Sequence, residues 1–556
     1  MTATDLSQRV TDPAEARPRV LFLVGLFVLI FAVHFWRLGS PPLAGTEGHR
    51  AVTAHQMLEA DRFERWVVPH LFDRPYLRKP PLQYWILAAA ESVGGAGTWT
   101  WRVPSAGASA LTGVVVAWFA TLWFGRGAGW VAGLGFLSIV ALWSQSRSAD
   151  IDANNTLMST LAACVIVHLH THRARAFAWV LAGGIAFGAA LLLKGPATLP
   201  IVLGALLGPL LINRSFRPAL CVVLLVGAAL FAGYALLARQ TVVAFGIVPD
   251  TSGVSEGLQN LMPRSAGRLL EALAVPPQLF AFSLPVSVGL ILAFHPLVRD
   301  LFRRDVPGDA DRRRATIVRA LAGSVLVGWG VCLMSGMVNP RYGYVTLPLL
   351  APLAGGVVRL FMFTGDAASR DKAARFFGVV LTCTAVGLGA AGLVLAGLSW
   401  STDEQRVLLV VSTALSLVTV VYAIHLLKRH NLRRGALATG VVLVLLAVPF
   451  GAYENDRRSA RSGIQTAWVL RDTVGAGTRV TTGRLMAYQP ELFYYAQVQV
   501  ESIGDSILEP QALTPGRWLV LDGREFDALK RSIPDRLHRV VQTTSNKKPV
   551  VMAWFE

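Results

Sequence analysis

Between Ser40 and Glu91 runs a polar stretch, SPPLAGTEGHRAVTAHQMLEADRFERWVVPHLFDRPYLRKPPLQYWILAAAE, enclosed by apolar sequence on both sides. It holds a carboxylate after a turn (Glu47), bases beside it (His49, Arg50), and a run that closes on Tyr76-Leu77-Arg78-Lys79-Pro80-Pro81-Leu82. Paired prolines stop a helix and fix the backbone that presents Lys79. Tyr84 and Trp85 behind them suit a membrane interface. A carboxylate, several cations and an aromatic rim at a membrane surface are what chemistry on a lipid phosphate requires. This loop reads as half of an active site.

Further polar groups punctuate the apolar sequence downstream. Arg147-Ser148-Ala149-Asp150-Ile151-Asp152-Ala153-Asn154-Asn155 pairs two carboxylates at the start of a helix. Capping explains one such residue, not the set, and the DxD-like spacing can also hold a divalent cation or a sugar. Lys194-Gly195-Pro196 ends an apolar run, where a snorkelling lysine is the ordinary explanation. Arg264 and Arg268 are spaced i, i+4 in a basic loop, facing either an anionic substrate or a lipid surface. Asn339-Pro340-Arg341-Tyr342 is another such break. Glu47 on its own reads more simply as a solvated or capping glutamate, because structural and catalytic carboxylates look alike in sequence.

The elements that must position these residues follow from hydropathy. Of the 556 residues, 53% are apolar and 15% charged, which points to a membrane protein. Apolar runs of the ~20 residues that span a bilayer begin at Val20–Trp36, which reads as an uncleaved first helix. They continue at Val103–Phe124, Ala128–Trp143, Thr156–His170, Ala176–Leu193, Leu199–Ile212, Leu220–Leu237, Gln278–Leu297, Ile317–Met334, Tyr344–Phe363, Phe376–Leu398, Val407–Leu427 and Ala436–Phe450. The expectation is an α-helical polytopic membrane protein of about 13 transmembrane helices, with residues 1–452 as the membrane domain.

Net charge is +18, from 52 basic and 34 acidic residues. The basic residues cluster in short loops on one side, which marks the cytoplasm and anionic lipid rather than nucleic acid. The N-terminus falls on that side. The first loop (40–102), Arg147–Asn155, Lys194–Thr198, the second large loop (239–277), Asn339–Arg341 and the tail fall on the other. Residues 453–556 carry a helical run (Gly463–Val474), strand-like runs (Thr478–Thr482, Gln497–Ser502, Arg517–Leu521, Val550–Phe555) and turns such as Asp522-Gly523, and are expected to form a small extracytoplasmic α/β domain. Cys164, Cys221, Cys332 and Cys383 lie in apolar segments without a CxxC, so disulfides and zinc-thiolate sites are not expected.

The order of these features resembles the aminoarabinose transferase-like branch of the GT-C membrane glycosyltransferases, related to protein O-mannosyltransferases. Tyr76-Leu77-Arg78-Lys79-Pro80-Pro81-Leu82-Gln83-Tyr84-Trp85 is its most specific piece, followed by Asp152, Lys194-Gly195-Pro196 and Arg341-Tyr342. The resemblance implies transfer of a sugar from a polyprenyl-phosphate donor to a lipid, glycan or protein acceptor at the outer face of a bacterial inner membrane. It gives Lys79 contact with the lipid phosphate, and makes Asp152 and Glu47 the acidic site residues. The family aspartate that precedes Glu47 falls at Thr46, which is no carboxylate base. Either Glu47 substitutes for it, or Asp150 or Asp152 does the work, or no strong base is needed. Arg50, Arg268, Arg341 and Tyr342 are then expected near the donor phosphate. His49, Tyr76, Arg147, Lys194 and Arg264 are expected to line the substrate cleft. Whether a metal ion takes part stays open. Direct displacement would invert the anomeric centre. The competing reading is a non-catalytic or transport-type relative that binds the lipid-linked sugar. A transporter should carry charged or broken helices at mid-membrane, whereas these charges sit at helix ends.

Overall fold

The computed structural model describes residues 19–60, 62–72, 74–171, 177–211, 218–247, 266–301, 309–363, 367–398, 432–545 and 548–556, with scattered positions between 407 and 422. Six helices among the described residues are long and apolar enough to cross a membrane: Thr98–Phe124, Phe177–Leu210, Pro218–Ala244, Ala310–Met334, Tyr344–Phe363 and Arg370–Leu395. Arg126–Leu137 and Val140–Ser146 form a further pair bent by 54°. Val20–Phe35 is a shorter apolar helix of 16 residues.

The bundle departs from an even row of spans in instructive places. The runs at Ala176 and Leu199 join into Phe177–Leu210, interrupted by a 3-10 turn at Gly195–Thr198. Gln278–Leu297 is not one helix but three short ones, Val275–Phe282, Val288–Leu292 and Pro296–Asp300. Pro285 and Pro296 interrupt it, since proline removes a helical donor and clashes with the preceding turn. Most of Val407–Leu427 lies outside the described residues.

Helix Asp152–Thr171 runs through the middle of the bundle and is buried along nearly its whole length. Around it, small residues let backbones approach, as is common in membrane packing. A Cβ at Gly204 would fall 2.2 Å from the Ser324 carbonyl oxygen, so Leu199–Leu210 packs directly on Asp309–Met334. That contact fixes the chain emerging from Lys194. Pro218–Ala244, by contrast, is only 17% buried across its most apolar window and leaves an apolar flank exposed.

Beyond the bundle lies a five-stranded mixed sheet, with strands β3 (Arg479–Thr482), β4 (Gln499–Ser502), β5 (Arg517–Asp522), β6 (Leu537–Ser545) and β7 (Lys548–Phe555) in the order β4-β3-β5-β7-β6. A small hairpin in the first loop, β1 (His70–Leu71) and β2 (Arg74–Pro75), accounts for the numbering. The β3–β4 and β3–β5 pairs are parallel, β5–β7 and β6–β7 antiparallel. Asp522-Gly523, which reads as a turn in sequence, instead opens helix Gly523–Ser532, where Asp522 and Glu525 make a reciprocal capping box.

This region sits on the first loop. Helix Pro490–Ala496 packs against helix Thr46–Ala60, and Tyr494 and Tyr495 join a shared apolar cluster with Leu43, Ala51, Ala54, Leu87 and Trp101. Gly48 makes the approach feasible, because a Cβ there would lie 2.4 Å from a carboxylate oxygen of Glu491.

Candidate active site

Helix Thr46–Ala60 starts after Gly45, whose φ of +64° turns the chain in a conformation that side chains disfavour. Its first turn holds Glu47, buried to 1% exposure and surrounded by donors. Arg102 reaches its two oxygens at 2.7 and 3.1 Å, Arg458 adds a contact at 3.1 Å, and the backbone N–H groups of Ala44 and Ala149 donate at 3.0 and 3.1 Å. Burial alone would push this carboxyl up, but Arg102, Arg458 and the Ala149 N–H bring it down to about 2. Arg102 spends its other donors on the carbonyls of Leu38, Pro41 and Pro42. Glu47 therefore ties the first loop, the Arg147–Asp152 segment and the last long helix, Leu432–Ser459, into one knot. With its lone pairs committed, it is poorly placed to accept a proton, contrary to one sequence expectation.

The second carboxylate is Asp150. Thr46 Oγ1 donates to it at 2.6 Å, the Ile151 N–H at 2.8 Å, and Arg50 Nε lies 3.6 Å away. Gln83, on helix Leu82–Gly94, donates from Nε2 to the carbonyls of Ala149 and Asp150, both at 3.2 Å, and so fixes this segment. Arg341 forks across Asp150 and Asp152, and Lys194 pairs with Asp152. Arg341 comes from a 3-10 turn, Pro340–Tyr342, whose cap Asn339 accepts from the Arg341 N–H at 3.0 Å. Burial pushes Asp150 up, yet Arg341, Arg50, Thr46 and the Ile151 N–H hold it well below the usual carboxylate range.

Arg50 is itself buried, donating to the hydroxyls of Tyr84 (2.9 Å) and Tyr76 (3.3 Å). His49 stacks on Tyr76 with centroids 5.9 Å apart. Lys194 lies 5.4 Å from the Tyr342 ring centroid, within cation–π range. Lys79, presented by the Pro80-Pro81 bend, is partly buried; burial first, then the fields of Arg50 and Lys194, lower its ammonium to about 8. Asp150 acts on it in the opposite sense.

The structure thus gathers Arg50, Tyr76, Lys79, Asp150, Asp152, Lys194, Arg341 and Tyr342 at one end of the bundle. Arg147 is not among them: it is buried near Arg102, Arg458 and Glu454 and donates to the His34 carbonyl at 2.8 Å. Arg268 is half-buried on helix Ala266–Ala272, and Arg264 lies outside the described residues. Arg102, Arg458 and Gln83 are structural members of the site that sequence reasoning missed. A basic residue flanking a span is common, and only the partner distinguishes these. Among the described residues no three His, Cys, Asp or Glu side chains gather to hold a metal ion, and both aspartates are already neutralised by protein cations. The described residues do not fit a resident cation.

Comparison with known proteins bears on the fold. The family model described as dolichyl-phosphate-mannose-protein mannosyltransferase matches residues 24–238. The undecaprenyl phosphate-alpha-4-amino-4-deoxy-L-arabinose arabinosyl transferase of Enterobacter sp. (strain 638) is 27% identical over 198 residues, 34% of either chain. Its counterpart from Aeromonas salmonicida (strain A449) is 31% identical over 176 residues, 31% of either chain. These matches span about a third of the length of the curated relatives. The crystal structure of ArnT from Cupriavidus metallidurans bound to undecaprenyl phosphate superposes with a TM-score of 0.68 at 19% identity, covering 96% of this chain and 98% of that one. The apo structure of the same protein gives 0.65 at 18%, covering 95% and 97%. The fold is that of the Cupriavidus metallidurans ArnT structures. Over about a third of its length the chain is similar in sequence to the named arabinosyl transferases, a likeness in line with the resemblance carried by the YLRKPPLQYW run.

Proposed function

We propose that the protein is a membrane glycosyltransferase that takes a sugar from a polyprenyl-phosphate donor and passes it to an acceptor at the membrane face opposite the basic loops. One observation carries this reading: four cations, Arg50, Lys79, Lys194 and Arg341, stand around two carboxylates, Asp150 and Asp152. Glu47 does not redress the surplus, being matched by Arg102 and Arg458. A partly buried site with uncompensated positive charge calls for an anion. A lipid phosphate entering beside the exposed flank of Pro218–Ala244 supplies one, and the crystal structure of the Cupriavidus relative holds undecaprenyl phosphate.

In the reaction the bond from the sugar's anomeric carbon to the donor phosphate oxygen breaks, and its electron pair stays on the phosphate. Lys79 and Arg341 face that developing charge, and preorganised cations of this kind contribute several kcal/mol, on the order of 3 per well-placed group. The acceptor oxygen bonds to the anomeric carbon from the opposite side and inverts it. Its proton goes to Asp152 once Arg341 releases it on turning toward the phosphate; 41% exposure leaves that side chain room to turn. An acceptor that is already a phosphate needs no such base.

The test is consumption of undecaprenyl-phosphate-linked sugar by purified protein and by its Lys79→Ala and Arg341→Ala variants. Loss of turnover in both, with intact thermal melts, supports the proposal. Wild-type turnover in Lys79→Ala, or no donor binding by the native protein, overturns it.

A further inference from the structure

Asn154 and Asn155 follow the acidic pair in the first turn of helix Asp152–Thr171, and the transfer reaction makes no direct use of either. Asparagine is a poor helix former, because its amide competes with the backbone for hydrogen bonds. Two in succession therefore call for a reason outside the helix. Neither faces water, with 6% and 2% exposure. Successive helical residues point about 100° apart, so the two amides meet different neighbours. Each reaches an element that delivers a lysine to the aspartates.

Asn154 Nδ2 donates to Gln83 Oε1 at 3.0 Å. Gln83 is fully buried near the start of helix Leu82–Gly94, which begins directly after the Lys79-Pro80-Pro81 bend. The two prolines stiffen that bend, so a shift of the helix carries Lys79 with it. Asn154 also orients the Gln83 amide, turning its Nε2 toward the Ala149 and Asp150 carbonyls. On the other side, Thr198 Oγ1 lies 3.0 Å from Asn155 Oδ1 and 3.1 Å from the Ala190 carbonyl. Thr198 ends the 3-10 turn Gly195–Thr198, which starts immediately after Lys194. Gly195, with a φ of +61°, breaks the helix there. The Asn155–Thr198 contact ties the broken end to the helix that carries Asp152, the partner of Lys194. Cations held from behind in this way meet a phosphate without reorganising.

We propose that Asn154 and Asn155 are positioning residues, acting through Gln83 and Thr198 to set Lys79 and Lys194 at their places around Asp150 and Asp152. The start of one buried helix then gauges the width of the phosphate pocket from both sides. The assignment rests on the reading of the cation cluster as a lipid-phosphate site.

Full-length protein in detergent is titrated with undecaprenyl phosphate, and a thermal melt is recorded for each variant. Asn154→Ala and Thr198→Val are each expected to weaken binding about tenfold, while Thr198→Ser, which keeps the hydroxyl, binds as the native protein does. A role in packing alone would lower the melts and leave the affinity of the folded fraction native. A double-mutant cycle then identifies the lysine through which each residue acts. In a Lys194→Gln background Thr198→Val should add little, and in a Lys79→Gln background it should add most of its effect. Asn154→Ala should show the opposite dependence. Native affinity in both single variants, or full additivity in every pair, overturns the proposal. If Asn154→Ala does not fold, the Thr198 and Lys194 variants decide the outcome alone. A native protein that binds no undecaprenyl phosphate removes the phosphate-site reading and this proposal together, whereas variants at native affinity remove only the latter.

Discussion

The hydroxyl of Thr46 donates to Oδ2 of Asp150 across 2.6 Å, joining the first turn of the first-loop helix to a residue 104 positions away. The position where relatives are expected to carry an aspartate thus serves, in this chain, to stabilise another aspartate in its ionised form. Thr46→Val leaves that buried carboxylate short of a donor, a loss of about 1–3 kcal/mol. We expect kcat/KM for sugar transfer to fall at least about tenfold, while Thr46→Ser retains most of it. Equal rates in the valine variant would show that the bond has no bearing on turnover.

Glu47 and Asp152 should respond differently to loss of charge. Glu47→Gln strands Arg102 and Arg458 inside the protein, and breaking a buried pair costs about 3–5 kcal/mol. A depressed thermal midpoint is expected, with activity lost through misfolding. Asp152→Asn, whose partners Lys194 and Arg341 are more accessible, should keep the midpoint and lose turnover. The reverse pattern would return Glu47 to the role of base.

Lys79 provides a pH signature. With burial and neighbouring cations lowering it to about 8, it is an ammonium below that pH and increasingly neutral above it. Affinity for undecaprenyl phosphate should fall as pH rises through about 8, and Lys79→Arg, which stays charged, should flatten the profile. A profile in the arginine variant identical to the native one would exclude Lys79 as the titrating group.

Glu491 gives a second pH dependence, at the seam between helix Pro490–Ala496 and the first loop. Burial first, and then the charge of Glu47, push its carboxyl up from the ordinary 4.5 to about 8. The folded chain holds a proton there that the unfolded chain releases. The associated stability is complete below pH 4.5, declines as pH climbs, and is gone above about 8, a span worth a few kcal/mol, on the order of 4. Thermal melts across that range should slope downward in the native protein and run level in Glu491→Gln. An unchanged slope in the variant would place the titration elsewhere.

The sequence displays the charged half of the candidate site because polar residues at the ends of apolar runs stand out. Lys79 between aromatic residues and prolines, the Asp150–Asp152 pair, Lys194-Gly195-Pro196 and Arg341 are all visible in this way, and the structure brings them together. The supporting half was hidden for a physical reason. Arg102 and Arg458 look like ordinary flanking cations until their shared partner Glu47 is known, and Arg458 lies 411 residues from it. The strands at Arg479, Gln499, Arg517 and Lys548 were expected within a few residues. The edge strand β6 was not, since it is polar, mostly exposed on both faces and irregular between His538 and Val541. Gln278–Leu297 shows the opposite error, because hydropathy registers apolarity but not the prolines that break it.

The contact between Arg458 and Glu47 also sets an order of events during biogenesis. A ribosome must thread nearly every span before the guanidinium that completes the Glu47 shell leaves the exit tunnel. Nascent chains halted earlier would be inserted yet unfinished, with an ionised glutamate still awaiting its last counter-ion.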